Sequence, residues 1–347
     1  MIHEVLYRKY RPKNFAEVLG QDQIVSVLEG EAKAGKFGHA YLFSGSRGTG
    51  KTSVARIFAR SLGTTDKDLY EIDAASNTGV DDVRELRDGV RTLPFESPIK
   101  VYLIDEVHML SKAAFNALLK TLEEPPAHVV FILATTELYK VPDTIISRCE
   151  AFVFKRPTTD ILADTVKKVA KKEAVKIDNE AARLVAFLGD GSFRDTLGML
   201  QKVISGAHGE DISVTVVEDV TGSPQLLHIQ NFLLSLLEAE SGPALKILSD
   251  IVTENRDIKI FTKRLLDELR LAMLLKYGPE LRKEIEALAD ADRLKFFERL
   301  AVHSNSAKIS AVLRELLDAY ELIGSTYLPQ LPLELAVTNI CDKLKHQ

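Results

Sequence analysis

Short, almost wholly apolar runs alternate with amphipathic stretches through the first half of the chain, and the second half is amphipathic throughout. Tyr41-Leu42-Phe43, Val101-Tyr102-Leu103-Ile104 and Val129-Val130-Phe131-Ile132-Leu133-Ala134 are apolar at every position. Runs of that length read as strands buried on both faces, as in a parallel sheet. Leu69-Tyr70-Glu71-Ile72-Asp73 reads as a further strand. Helical spacing appears over residues 21–35, over residues 53–59, from near Val80 or Asp81, and from Phe115 to Leu122, where Glu123-Glu124-Pro125-Pro126 stops it. Lys155-Arg156-Pro157-Thr158-Thr159-Asp160 reads as a linker, and the pattern after it is helical. Gly222-Ser223-Pro224 marks a second break. Beyond it the helical spacing repeats, as in Leu226-Leu227, Ile229, Phe232-Leu233 and Leu236-Leu237. The expected architecture is α/β: a parallel-sheet module over residues 1–156, a small helical domain over 157–221, and an all-helical packing or oligomerisation domain over 222–347.

Gly45-Ser46-Arg47-Gly48-Thr49-Gly50-Lys51-Thr52 follows the first apolar run and has the spacing G-x-x-x-x-G-K-T. A strand before it and a helix after it, opening with Ser53, are the context in which this string holds phosphate. Glycines let several backbone N–H groups converge on one anion, and the positive end of the helix reinforces them. Lys51 offers a cation to the β- and γ-phosphates, and the Thr52 hydroxyl can ligate Mg²⁺. These residues and Ser53 form the candidate nucleotide-binding set. The run ending at Ile104 delivers Asp105 and Glu106 to its C-terminal edge. There Asp105 would share Mg²⁺ with Thr52, directly or through water, and Glu106 would polarise the attacking water. His108 completes a D-E-x-H string and reads as a hydrogen-bonded structural residue. The run of residues 129–134 ends in Thr135-Thr136, hydroxyls placed to sense a γ-phosphate, to orient the attacking water, or simply to end a strand.

Other positions are open at this level. Tyr7-Arg8-Lys9-Tyr10-Arg11-Pro12-Lys13 is a nucleic-acid patch, a flap on a base or ribose, or a solvated arm. Ser76, Asn77 and Thr78 cap the helix that follows or hold a DNA phosphate at its start. Arg148 pairs with a surface carboxylate or supplies charge to a phosphoryl transition state. Lys167-Lys168 and Lys171-Lys172 are most simply a solvated face. Asp190 or Ser192 caps a helix with Arg194 in its first turn, where a cation opposes the helix dipole. A local conflict of that kind points to function.

Composition narrows the field. The 347 residues are 46% hydrophobic and 27% charged, without an apolar run of membrane-spanning length or the layout of a signal peptide. A cytoplasmic setting without a membrane is expected. Two cysteines, Cys149 and Cys341, exclude a disulfide framework and a cysteine-rich zinc module built from this chain alone. The net charge of -5 confines any DNA contact to a local patch or helix ends.

With these residues assembled, the chain resembles the gamma/tau family of bacterial DNA polymerase III clamp-loader subunits, which are AAA+ ATPases. Over residues 4–200 the likeness rests on Leu6-Tyr7-Arg8-Lys9-Tyr10-Arg11-Pro12, the phosphate loop, Glu71-Ile72-Asp73-Ala74-Ala75-Ser76 and Ile104-Asp105-Glu106-Val107-His108-Met109-Leu110. It continues through the string from Phe115 to Pro126, Leu133-Ala134-Thr135-Thr136 and Ser147-Arg148-Cys149. Residues 222–347 match in helical character and in Leu331-Pro332-Leu333-Glu334. The resemblance implies a P-loop AAA+ module, a helical lid and a C-terminal helical collar, using ATP and Mg²⁺. It implies that Tyr7, Arg11, Pro12, Val18 and Leu19 lie near the adenine. Thr136 is similar to the sensor-1 residue and Arg194 to the sensor-2 arginine that reaches the phosphates. Arg148 resembles the finger that enters the next subunit's site. Expected partners are delta- and delta-prime-type subunits, a sliding clamp and primer-template DNA, in a pentameric hetero-oligomer. The family usually carries a four-cysteine zinc module where Leu62-Gly63-Thr64-Thr65-Asp66-Lys67-Asp68 stands here, so no zinc is expected. Some relatives have basic residues after Ala75-Ser76, where this chain has Asn77-Thr78-Gly79. Ending at Gln347, the chain is not expected to make the contacts of the long tau-form tail. Two competing readings are a non-catalytic stator of the delta-prime type and a stand-alone P-loop DNA translocase. Intact Lys51, Thr52, Asp105 and Glu106 speak against the first; Arg148 and the helical C-terminal region speak against the second.

Overall fold

Five parallel strands form one sheet in the computed structural model, which describes residues 4–76 and 89–345. They are β1 (Ala40–Ser44), β2 (Leu69–Asp73), β3 (Lys100–Asp105), β4 (Val129–Thr135) and β5 (Glu150–Val153), in the order β2-β3-β4-β1-β5. The side-chain period of two divides the sheet between two cores. Tyr41, Phe43, Val101, Leu103, Val130 and Ile132 face helices α2 (Asp22–Ala34) and α3 (Lys51–Ser61). Leu42, Tyr102, Ile104, Phe131 and Leu133 face α4 (Lys112–Glu123) and α5 (Asp143–Ile146). Each such large side chain taken out of water contributes about 1.5–3 kcal/mol. Burial on both faces is why β1, β3 and β4 read as unbroken apolar runs. β5 is the strand the sequence reading lacks. It pairs with β1, Tyr41 opposite Glu150 and Ser44 opposite Val153, and lies mostly exposed at the sheet edge, although Ala151, Phe152 and Val153 are apolar.

All strands run the same way, so their C-terminal ends share one edge. Ser44, at the mouth of the phosphate loop, registers with Thr135, and Asp73 with Asp105. A loop at the other side of the sheet is tied differently. Asp68, with no exposed surface, accepts N–H bonds from Phe95, Glu96 and Ser97 at 2.6, 3.0 and 2.9 Å. Burial alone would raise its pKa, but those donors hold it down, to about 2.

The short helix α1 (Leu6–Lys9) precedes the sheet, and α6 (Thr159–Lys172), α7 (Asn179–Leu188) and α8 (Phe193–Gly206) follow it. The Thr158, Asp178 and Ser192 side chains cap these last three helices, each accepting an N–H from the first turn. Of the two cap candidates named for α8, Ser192 takes the role. Asp190 instead adopts a left-handed backbone with φ 50°.

The chain divides into two compact units, 1–212 and 213–347. The second contains α9 (Val214–Thr221), α10 (Leu226–Leu237), α11 (Ser241–Thr253), α12 (Ile258–Tyr277), α13 (Arg282–Leu288), α14 (Ala291–Val302), α15 (Ile309–Leu322) and α16 (Leu331–Lys345). Its core is made from the apolar stripes of α10 to α16, with the Phe232 and Phe261 rings edge to face at 5.2 Å. Inside it Arg264 of α12 pairs with Glu218 of α9 at 3.2 Å, which ties α9 to this unit. Among the described residues no helix is long and apolar enough to cross a membrane.

Candidate nucleotide site

The phosphate loop runs from the end of β1 into α3, and its glycines are needed for two different reasons. Gly45 has φ +145°, and a Cβ there would sit 2.5 Å from the Phe154 carbonyl oxygen. Gly48 has φ +74°, and a Cβ there would overlap the Ser192 hydroxyl at 1.9 Å. The first lets the loop pass the backbone after β5. The second lets the start of α8 close onto the loop, where the Phe193 N–H donates to the Gly48 carbonyl at 3.0 Å.

Lys51 opens α3 and is buried. Its ammonium donates to the Gly45 and Ser46 carbonyls at 2.8 and 3.0 Å. Burial lowers its pKa, opposed by the charges of Glu106 and Asp105. The Thr52 hydroxyl donates to Asp105 Oδ2 at 2.9 Å, across the end of β4. A hydroxyl and a carboxylate are hard oxygen donors. They suit Mg²⁺, which takes its remaining positions from water and phosphate, not from a full protein cage. Among the described residues no group of three or more His, Cys, Asp or Glu is arranged to hold a metal ion by itself.

Glu106 leaves β3 in a left-handed conformation, φ 49°. Its Oε2 accepts from the Thr136 hydroxyl at 2.9 Å and the Thr136 N–H at 3.3 Å. Thr136 thus sits one step behind the cleft and touches it through Glu106.

A cleft of about 630 Å³ lies over the loop. It brings together Tyr7, Arg11, Pro12, Val18, Leu19, residues 47–53, Asp105, Glu106 and Arg194. Gly45 and Ser46 lie beneath it, holding Lys51. The N-terminal segment is ordered, not a solvated arm. The Leu6 N–H bonds Gln201 of α8 at 3.0 Å, and Lys9 and the Tyr10 hydroxyl both bond Glu173. The Tyr7 ring lies under the Arg194 guanidinium, 5.1 Å from centroid to carbon. Burial lowers the pKa of Arg11, helped by Arg56 and opposed by Glu71.

The sequence reading missed part of this wall. Lys168 and Lys172, assigned to a solvated face, line the cleft with Thr165 and Val169, while Lys167 pairs with Asp164 outside it. Their spacing of four on α6, shared with Thr165 and Val169, was the available signal. Gln21 was read only as a helix opener. It is buried and clasps Lys155, donating to its carbonyl at 2.8 Å and accepting its N–H at 3.2 Å.

Two candidates stand apart. Arg148 does not line the cleft; it pairs with Glu123 and donates to the Thr144 carbonyl. Ser76 is exposed in the turn after β2, its N–H donating to the Asp73 carbonyl at 3.1 Å. Asn77 and Thr78 lie outside the described residues, as does the helix expected near Val80 or Asp81.

The family model for the DNA polymerase III delta subunit matches residues 20–75 and 64–158. DNA polymerase III subunit gamma of Buchnera aphidicola is 36% identical over 322 residues, covering 84% of this chain and 87% of that protein. DNA polymerase III subunit tau of Bacillus subtilis is 37% identical over 99% of this chain and 64% of its own length. The gamma/tau subunit of Mycoplasma genitalium is 37% identical over 76% of this chain, which spans 48% of that protein. The chain therefore spans about half to two-thirds of the longer relatives. Among solved structures, the Thermotoga maritima RuvB Holliday junction branch migration motor superposes with a TM-score of 0.54. It is 22% identical and covers 66% of this chain and 80% of its own. That likeness is one of fold.

Proposed function

Since the chain belongs to the DNA polymerase III gamma/tau subunit family, we propose that it is an ATP-hydrolysing motor subunit of a clamp loader, opening a sliding clamp and leaving it on primer-template DNA. One observation carries this reading: Lys51, Thr52 bonded to Asp105, and Glu106 meet in a single cleft. A stator that never turns over ATP has no need of that set.

Lys51 leaves the two loop carbonyls for the β- and γ-phosphates, which the loop N–H groups and the start of α3 also hold. Thr52 and Asp105 would hold Mg²⁺, which when bound would offset the charge that develops on the phosphate oxygens. Glu106 takes the proton of the attacking water, and Thr136 orients that water against the γ-phosphate. Arg194 reaches the phosphates from α8, with Tyr7 beneath it. Tyr7, Arg11, Pro12, Val18 and Leu19 take the adenosine end, and Lys168 and Lys172 add positive charge to that wall. The cation still required is Arg148 of a neighbouring subunit. Delta- and delta-prime-type subunits complete a pentameric assembly, held through the helical unit as a collar, with the helices between residues 157 and 212 as the lid. Ser76, Asn77 and Thr78 are the residues this reading assigns to DNA binding. The setting is the bacterial cytoplasm.

The test is ATP turnover by the chain alone, with its partner subunits, and with clamp and primed DNA added. Turnover that rises only in the full mixture supports the motor. Strong turnover and strand unwinding by the isolated chain on single-stranded DNA would replace it with a translocase. Absence of nucleotide binding in every mixture would make the chain a stator.

A further inference from the structure

One buried side chain beside the cleft has no part in the chemistry above. His108 lies on the short turn Val107–Met109 directly after Glu106, its side chain 6% exposed. Its Nδ1 is 3.0 Å from the Thr135 hydroxyl and 3.4 Å from Glu106 Oε2. Its Nε2 is 3.0 Å from Glu137 Oε2. The ring is wedged between two carboxylates, one at the cleft and one behind it. Glu137 is braced in turn, accepting from the Tyr139 hydroxyl at 2.5 Å and from the Lys140 ammonium at 2.7 Å.

The arrangement matters because of how Glu106 is held. Its left-handed backbone takes it out of the regular path of β3, so its partners set the aim of the carboxylate. The Thr136 hydroxyl and N–H both donate to one oxygen, Oε2, and His108 Nδ1, bonded to the Thr135 hydroxyl, comes within 3.4 Å of it. A threonine hydroxyl has one hydrogen to give. When Thr136 turns that hydrogen to the reacting groups, it releases Glu106. The N–H at 3.3 Å and the ring of His108 remain.

We propose that His108, braced by Glu137, is the positioning residue that keeps Glu106 aimed at the attacking water while Thr136 serves the γ-phosphate. The inference rests on Glu106 being the base. Binding of nucleotide does not need that aim; proton transfer does, because a misplacement of about 1 Å at a reacting group can cost on the order of a hundredfold in rate.

The experiment compares ATP turnover of the assembled complex with the affinity of the same chain for a fluorescent ATP analogue. His108→Ala is expected to lower turnover about tenfold or more at unchanged affinity. His108→Gln, which keeps a side-chain donor near Glu106, is expected to retain most of the turnover, and it carries the test should the alanine variant fold poorly. Glu137→Ala is expected to show the same selective loss. Because the two residues act in series, the double variant should lose no more than the worse single one. Unchanged turnover in His108→Ala would overturn the proposal. So would a fall matched by lost nucleotide affinity, or losses that multiply in the double variant. Normal turnover in Glu106→Gln would instead remove the base itself, a result separable from those of His108 and Glu137.

Discussion

Arg148 donates to Glu123 at 2.7 Å within its own chain, and neither residue lines the cleft over the phosphate loop. Both side chains are partly exposed, at 35% and 48%, so the pair contributes at most about 1 kcal/mol. A hold that weak yields to an anionic site on another subunit. Arg148→Ala should leave nucleotide binding by its own chain intact and slow hydrolysis in the neighbour about a thousandfold or more. Complexes that mix wild-type and variant subunits make the check. Loss confined to the variant's own site would mean that Arg148 does not act across the boundary.

Lys51 is the buried cation of the loop, satisfied by two carbonyls until phosphate replaces them. A charge-assisted hydrogen bond is worth about 1.5–3 kcal/mol, so Lys51→Ala should weaken nucleotide binding roughly tenfold to a hundredfold or beyond. Titration with a fluorescent ATP analogue measures it, and undiminished affinity would refute the role.

Glu106→Gln keeps the shape of the side chain and its bonds to Thr136 but removes the base. Turnover should fall by about a hundredfold to ten-thousandfold while nucleotide binding persists. Single-turnover hydrolysis set beside equilibrium binding separates the two. Parallel loss of both would place Glu106 in binding.

Asp68 is a prediction about stability. Its carboxylate receives three N–H groups and has no exposed surface. Asp68→Ala should cost about 2–3 kcal/mol by leaving those donors unmet. The folded pKa, about 2, lies below that of the unfolded chain. The stabilisation is therefore complete above about pH 4 and is lost as pH falls toward the folded value. Thermal unfolding of wild type and Asp68→Asn should differ at neutral pH and converge as pH drops from 4 toward 2. A difference that does not depend on pH would show that the charge is not what matters.

What could be read from the sequence was whatever one segment determines by itself. The phosphate loop is contiguous, and β3 and β4 are buried on both faces, so spacing and apolarity place Lys51, Thr52, Asp105 and Glu106. What stayed hidden depends on partners far along the chain. α1 is four residues long, too short for a periodic signal, and is held by Gln201 and Glu173. β5 is a strand only because β1 lies beside it. His108 reads as structural until Glu137, on the far side of β4, is seen against its other nitrogen. Arg194 was singled out by its clash with the helix dipole, but nothing local said that Tyr7 lies beneath it.

The bond from Phe193 to the Gly48 carbonyl couples the start of α8 to the phosphate loop. That helix has 14 residues, is about 21 Å long, and packs against α1, α6 and α7. Gln201, which carries the chain's N-terminal segment, is its ninth residue, about 12 Å along the helix from that bond. The phosphate loop and the segment that carries Tyr7 and Arg11 are therefore held by one and the same helix.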